Sequence, residues 1–260
     1  MPYESITFEG KKFSINYTRK GTSPNVLFFI HGLGCSEESF SDLWNYPWIK
    51  DYTIITFDLP GCGKSSKPKD FSYSIFDHAE ICRQILEKLT SKKSKVHIIG
   101  HSMGGAIGLL LSKNIPNLTS YVSIEGSVFS EDLSISKKVV RFPFKKFKDY
   151  VFEVIQKSTR TSPEKGTRLW AEWSMHASPE AVYKGAESLV QISSDETLLK
   201  LFLGLLCPNI YFYGGNGTRK AIFSIKEIQK IKIPDAGHFV MNDNPDEFYG
   251  ALHTFLRKDK

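Results

Sequence analysis

Short, almost wholly apolar runs set the first constraint on this chain. They are NVLFFI (25–30), TIITF (53–57), VHIIG (96–100), LTSYVSI (118–124) and NIYFYG (209–214). A strand with no polar alternation has no face to give to water and needs cover on both sides. Between the runs lie stretches of helical periodicity, such as DHAEICRQILEKL (77–89) and MGGAIGLLLSK (103–113). Doubly covered strands alternating with helices predict an α/β domain with a mostly parallel sheet. The first 21 residues alternate polar and apolar instead, which predicts two short strands joined by a turn at Gly10-Lys11.

After Gly126 the rhythm breaks. Residues 127–194 are rich in charge and aromatics and contain no convincing buried strand, so they read as a helical insertion. The core is then 1–126 and 195–260, a size that suits a single α/β domain of 260 residues carrying an insertion. The C-terminal NPDEFYGALHTFLRK predicts a helix with Asn244 as cap, Pro245 at the first helical position, Glu247 at the third, and an apolar stripe of Phe248, Leu252 and Phe255.

Charge and cysteine content remove several function classes. A net charge of +6 from 34 basic and 28 acidic residues is too balanced for a dedicated nucleic-acid stripe. No segment approaches the ~20 apolar residues of a membrane span, and the N-terminus lacks an apolar signal core. The four cysteines (Cys35, Cys62, Cys82 and Cys207) form no C-x-x-C pair, which fits reduced thiols better than a zinc site or disulfide scaffold. The expectation is a cytoplasmic protein, monomer or homodimer, with a small-molecule substrate and no metal or cofactor.

Three stretches carry candidate chemistry. Gly100-His101-Ser102-Met103-Gly104 is a G-x-S-x-G between an apolar strand and an apolar helix, the context in which a sharp turn exposes a serine hydroxyl. The helix N-terminus leaves the Met103 N–H free to donate to developing negative charge. In VLFFIHGLG, a strand ends in His31-Gly32-Leu33-Gly34, where the Leu33 N–H can be a second donor. In IPDAGHFVMNDNP, His238 follows the last strand and precedes a capped helix.

Taken in order, HG-x-G, FDLPGCGKSS, GHSMGG and AGHF resemble the α/β-hydrolase family over essentially the whole chain. The resemblance implies a mostly parallel eight-stranded sheet with an inserted helical cap at 127–194, and a serine hydrolase with Ser102 as nucleophile and His238 as base. Within it, 58–65 is a structural turn. GCGKSS is not a phosphate-binding loop, because the glycine such a loop needs five residues before Gly63 is Asp58.

A serine–histidine pair needs a carboxylate to hold the imidazole in the right tautomer. In most family members that acid stands three residues after the glycine ending the seventh strand. Here that position is Gly217, and no Asp or Glu occurs between Glu196 and Glu227. A family variation moves the acid to the end of the sixth strand, where Glu125 stands. Glu125 is therefore the expected third member, with Asp235 the alternative; Asp243 and Asp246 read as helix N-terminal charges.

In this family the cap selects the substrate. Phe142, Phe144, Phe147, Tyr150, Phe152, Trp170, Trp173 and Met175 offer an apolar ceiling or a core for the cap itself. Residues 137–148, KKVVRFPFKKFK, suggest weak contact with an anionic surface or a solvated basic face. The resemblance implies hydrolysis of a carboxylic ester or thioester. A C–C bond hydrolase, an amidohydrolase or peptidase, an acyltransferase and a non-catalytic small-ligand receptor stay open.

Overall fold

A computed structural model describes residues 2–128, 133–194, 196–215 and 220–257. Eight strands form one sheet in the order β1-β2-β4-β3-β5-β6-β7-β8. They are β1 (Tyr3–Phe8), β2 (Lys11–Lys20), β3 (Asn25–Ile30), β4 (Thr53–Phe57), β5 (Lys95–His101), β6 (Leu118–Ile124), β7 (Asn209–Gly214) and β8 (Lys230–Ile233). β2 runs antiparallel to β1 and β4, and all other pairings are parallel. The first hairpin turns at Glu9-Gly10, one residue earlier than expected, and both residues take positive φ. That is the twist a two-residue hairpin loop requires.

The period of two along the strands sorts the core into two faces. Val26, Phe28 and Ile30 of β3 pack into the cluster that holds α1 (Ile75–Leu89) and α2 (Met103–Ser112), while Leu27 and Phe29 enter the cluster on the other face. That second face is closed by Phe248, Leu252 and Phe255 of the C-terminal helix (Pro245–Arg257), whose Glu247 N–H donates to the Asn244 side chain as the capping pattern predicts. At α1 the Ser74 hydroxyl accepts the Asp77 N–H at 3.1 Å.

Between β6 and β7 the described residues carry helices and no strand. These include α3 (Ser134–Val140), α4 (Phe152–Thr159), α5 (Lys165–Ser174), α6 (Pro179–Ile192) and α7 (Thr197–Leu203). α7 sends Leu198 and Phe202 into the same core cluster as α2. Of the aromatic and sulfur side chains expected to form a ceiling or a core for the insertion, Tyr150 is 64% and Met175 52% exposed, so both face outward; Phe147, Phe152, Trp170 and Trp173 are buried. No helix among the described residues is long and apolar enough to cross a membrane.

Two histidines sit inside this core with no ion-pair partner among the described residues. His78 of α1 lies against the rings of Phe71 and Tyr73, and His97 of β5 has its Nδ1 2.7 Å from the Ser120 hydroxyl. Burial, reinforced by the charges of His31 and Lys95 respectively, pulls them down to about 3 and about 4. In the unfolded chain both return to about 6.5. The stability they contribute is complete above that value and is lost as the pH falls toward the folded values. Each histidine should steepen the acid limb by up to about 1.4 kcal/mol per pH unit. Thermal melts from pH 6.5 to 4 should therefore fall less steeply in His78→Phe; an identical slope would contradict this origin.

Candidate active site

The candidate residues gather at the C-terminal edge of the parallel strands, where open α/β sheets bind ligands. Ser102 stands between β5 and α2 with φ 53° and ψ −117°. A residue with a side chain avoids that region, at a cost of about 1–3 kcal/mol. Three backbone bonds hold it there. Its N–H donates to the Ile124 carbonyl at 2.9 Å, and its carbonyl accepts the Gly105 and Ser127 N–H groups at 2.9 and 3.3 Å.

Glycine on both sides is a steric demand. A Cβ on Gly100 would lie 2.4 Å from the Gly104 carbonyl oxygen, and one on Gly104 would lie 2.1 Å from that of Ile30. The glycines let α2 enter the sheet edge at contact distance, and buried tyrosines fix the flanking backbone. Tyr121 Oη donates to Gly105 O at 2.7 Å and Tyr211 Oη to Gly126 O at 2.9 Å.

Glu125 follows β6 directly, 4% exposed, with φ 50°. Its N–H donates to Phe212 O at 2.8 Å, anchoring it across the β6–β7 ladder. Its carboxylate is held at both oxygens: Oε1 accepts the Gly214 N–H at 2.6 Å, and Oε2 accepts from Nδ1 of His238 at 3.2 Å. A carboxylate accepts only, so Nδ1 carries the proton and, in the neutral ring, Nε2 is left as the proton acceptor. Ser102 and Glu125 thus end adjacent strands, and His238, its side chain 24% exposed, arrives from the loop after β8.

The alternative acid is elsewhere. Asp235 is exposed and takes φ 51°, while the carboxylate on His238 is that of Glu125. Gly217, the position where an acid is usual, lies outside the described residues. The end of β7 is nonetheless informative. A Cβ on Gly214 would come within 2.2 Å of the Gly237 carbonyl oxygen, so the histidine loop crosses this glycine closely and its N–H serves Glu125.

The two expected donor amides belong to one crowded corner. A Cβ on Gly32 would meet Ser102 Cβ at 3.2 Å, which sets the Gly32–Leu33 peptide against the serine. One on Gly185 of α6 would meet Leu33 Cδ1 at 3.1 Å and Met103 Sδ at 3.3 Å, so these side chains share a neighbour overhead. Neither the Leu33 nor the Met103 N–H is donated to another residue among the described hydrogen bonds. His31 is structural: its Nε2 accepts the Leu59 N–H at 2.9 Å, and burial lowers its pKa despite Asp58.

Three contributors were not legible beforehand. His101 donates from Nε2 to the His238 carbonyl at 3.0 Å, tying the serine turn to the histidine loop. Asp243 is a helix N-terminal charge, as expected, but it serves the N-terminus of α5 and reaches a second loop as well. Its Oδ2 accepts the Gly237 N–H at 2.9 Å and its Oδ1 the Gly166 N–H of α5 at 2.7 Å, bridging the histidine loop and the insertion. Trp170 of α5 donates from Nε1 to the Leu33 carbonyl at 2.9 Å. His101 could have been suspected from its place inside G-x-S-x-G; Asp243 and Trp170 act across more than 70 residues, beyond any local pattern. No group of three or more acidic, histidine or cysteine side chains among the described residues could hold a metal ion.

Comparison with known proteins agrees with this fold. The profile of the alpha/beta hydrolase fold family matches residues 25–165, more than half of the chain. A Mycoplasma genitalium protein provisionally named esterase/lipase 2 is 30% identical over 115 residues, 44% of this chain and 42% of the relative, so the match spans less than half of that protein's length. A thermophilic esterase from Thermogutta terrifontis superposes with a TM-score of 0.79 at 18% identity, covering 100% of this chain and 99% of its own. A bromoperoxidase from Bacillus anthracis gives 0.80 at 18% identity, with 98% and 100% covered. At such identity these structures speak for the fold.

The serine turn yields a stability test. Gly104→Ala forces its methyl against the Ile30 carbonyl and should cost about 1–3 kcal/mol. A thermal melt unchanged from wild type would show that the turn has slack the structure does not contain.

Proposed function

The chain belongs to the alpha/beta hydrolase fold family, and from that premise we propose that it is a serine hydrolase of carboxylic esters or thioesters working through an acyl-enzyme. The observation that carries this reading is the doubly anchored Glu125 carboxylate on His238 Nδ1, beside a strained serine on the neighbouring strand end. The esterase/lipase relative and the esterase neighbours support an ester substrate.

In the proposed reaction Ser102 Oγ attacks the substrate carbonyl while its proton passes to His238 Nε2. Glu125 stabilises the resulting imidazolium and keeps Nδ1 protonated throughout. The carbonyl π electrons move onto oxygen, where the Leu33 and Met103 amides receive them. Collapse breaks the ester C–O bond, and the leaving alkoxide takes the proton from His238. Water, deprotonated by the same nitrogen, then releases the acid and restores the serine.

Residues 127–194 are proposed as the cap. The placement of Gly185 over the Leu33 and Met103 side chains, with Trp170 on the Gly34 backbone, supports a ceiling above the serine. Buried aromatic packing there favours apolar acyl groups.

A p-nitrophenyl ester series from acetate to palmitate tests the reading. Turnover should appear with an optimum set by the cap and vanish in Ser102→Ala. Glu125→Gln should retain the fold and lower kcat by roughly 10²–10⁴, whereas Asp235→Asn should stay near wild type. Wild-type turnover that survives Ser102→Ala would eliminate the serine mechanism. Failure on every ester would shift the assignment to an amide or C–C bond.

A further inference from the structure

The loop that carries the Leu33 amide is a four-residue turn. The Cys35 N–H donates to the Gly32 carbonyl at 3.2 Å, closing the turn, and Gly34 at its third position has φ +69°. Leu33 is not among the residues with positive φ, so the turn is type II. In this form the Leu33 carbonyl and the Leu33 N–H lie on successive peptides of the turn, so a contact that holds the carbonyl also restrains the residue that carries the amide.

The insertion holds this turn. The Trp170 indole N–H donates to the Leu33 carbonyl at 2.9 Å, and its ring lies 3.2 Å from where a Gly34 Cβ would be. The same helix reaches the base. One turn before Trp170, Gly166 donates to Asp243, whose other oxygen holds Gly237 beside His238. Residues four apart share a helix face, so α5 spans the donor loop and the histidine loop as a single brace.

We propose that Trp170 is a positioning residue of the reaction. Its indole N–H holds the Leu33 carbonyl and its ring packs at Gly34, and through these two contacts the insertion anchors the turn whose first central amide, the Leu33 N–H, stands beside Ser102, where the oxyanion forms. It does not touch the substrate carbonyl. The inference rests on the serine-hydrolase reading and adds that the cap sets the geometry of the oxyanion site as well as covering it.

Trp170→Phe keeps an aromatic ring and removes the donor. On a short p-nitrophenyl ester kcat should fall roughly 2- to 13-fold, the equivalent of one neutral hydrogen bond, with KM changed by less than about two-fold. A purely structural role would move the melting temperature and KM instead. An aryl trifluoromethyl ketone gives the decisive readout. Ser102 oxygen adds to its carbonyl carbon, the proton passes to His238, and the hemiketal oxyanion occupies the donor site. Its inhibition constant should rise by the factor that kcat/KM loses. If the Phe variant does not fold, β-(3-benzothienyl)alanine at position 170 retains both rings and replaces N–H by sulfur, and the same changes are expected. Wild-type kcat and inhibitor affinity in either variant would overturn the inference and leave the hydrolase reading intact. A wild type that turns over no ester and binds no ketone would overturn both.

Discussion

Helix α2 meets the sheet through glycine, and the site is built outward from that contact. Gly104 lies against the Ile30 carbonyl and Gly100 against the Gly104 carbonyl, so no side chain holds helix and strands apart. The close approach leaves the chain too few residues for a relaxed turn, and Ser102 absorbs the difference in its backbone. Its strain is offset by hydrogen bonds to three residues and by a strand core whose members each contribute about 1.5–3 kcal/mol. Because the helix starts at Met103, the amide that would receive negative charge is fixed by the same contact.

The carboxylate on His238 is held where the last strands end. At the tip of β7 the backbone of Gly237 passes within contact of Gly214, which leaves no room for a side chain. What β7 offers instead is an N–H. Glu125, one strand over, uses it, spending one oxygen on Gly214 and the other on His238. Both Glu125 and Ser102 take positive φ, and both are held by the β5–β6–β7 ladders. Strain at two adjacent strand ends, each over-determined by its neighbours, is the signature of a pre-organised site.

Much of this was legible in the sequence because it is local. Apolar runs announced the doubly covered strands, and G-x-S-x-G between a strand and a helix announced the turn at Ser102. The missing acid after β7 pointed one strand back to Glu125 only through family resemblance; the geometry adds what holds that carboxylate in place, the Gly214 N–H on one of its oxygens. The first hairpin was misplaced by one residue because Glu9 accepts a left-handed conformation that residue type alone does not advertise. Tyr150 and Met175 face outward although apolar, since a mixed helix does not declare which side it buries. Asp243 and Trp170 were invisible for a different reason. Each joins the insertion to a loop distant in the chain, and such pairs exist only once the fold has closed.

The central claim is that Ser102 is activated by a histidine set by Glu125. Intact-protein mass spectrometry after treatment with an alkyl fluorophosphonate tests it without choosing a substrate, because fluoride leaves as the serine oxygen bonds to phosphorus. One adduct is expected, mapped to Ser102, whose formation slows by orders of magnitude in Glu125→Gln and not in Asp235→Asn. Labelling at another residue, or at an undiminished rate in Glu125→Gln, would contradict it.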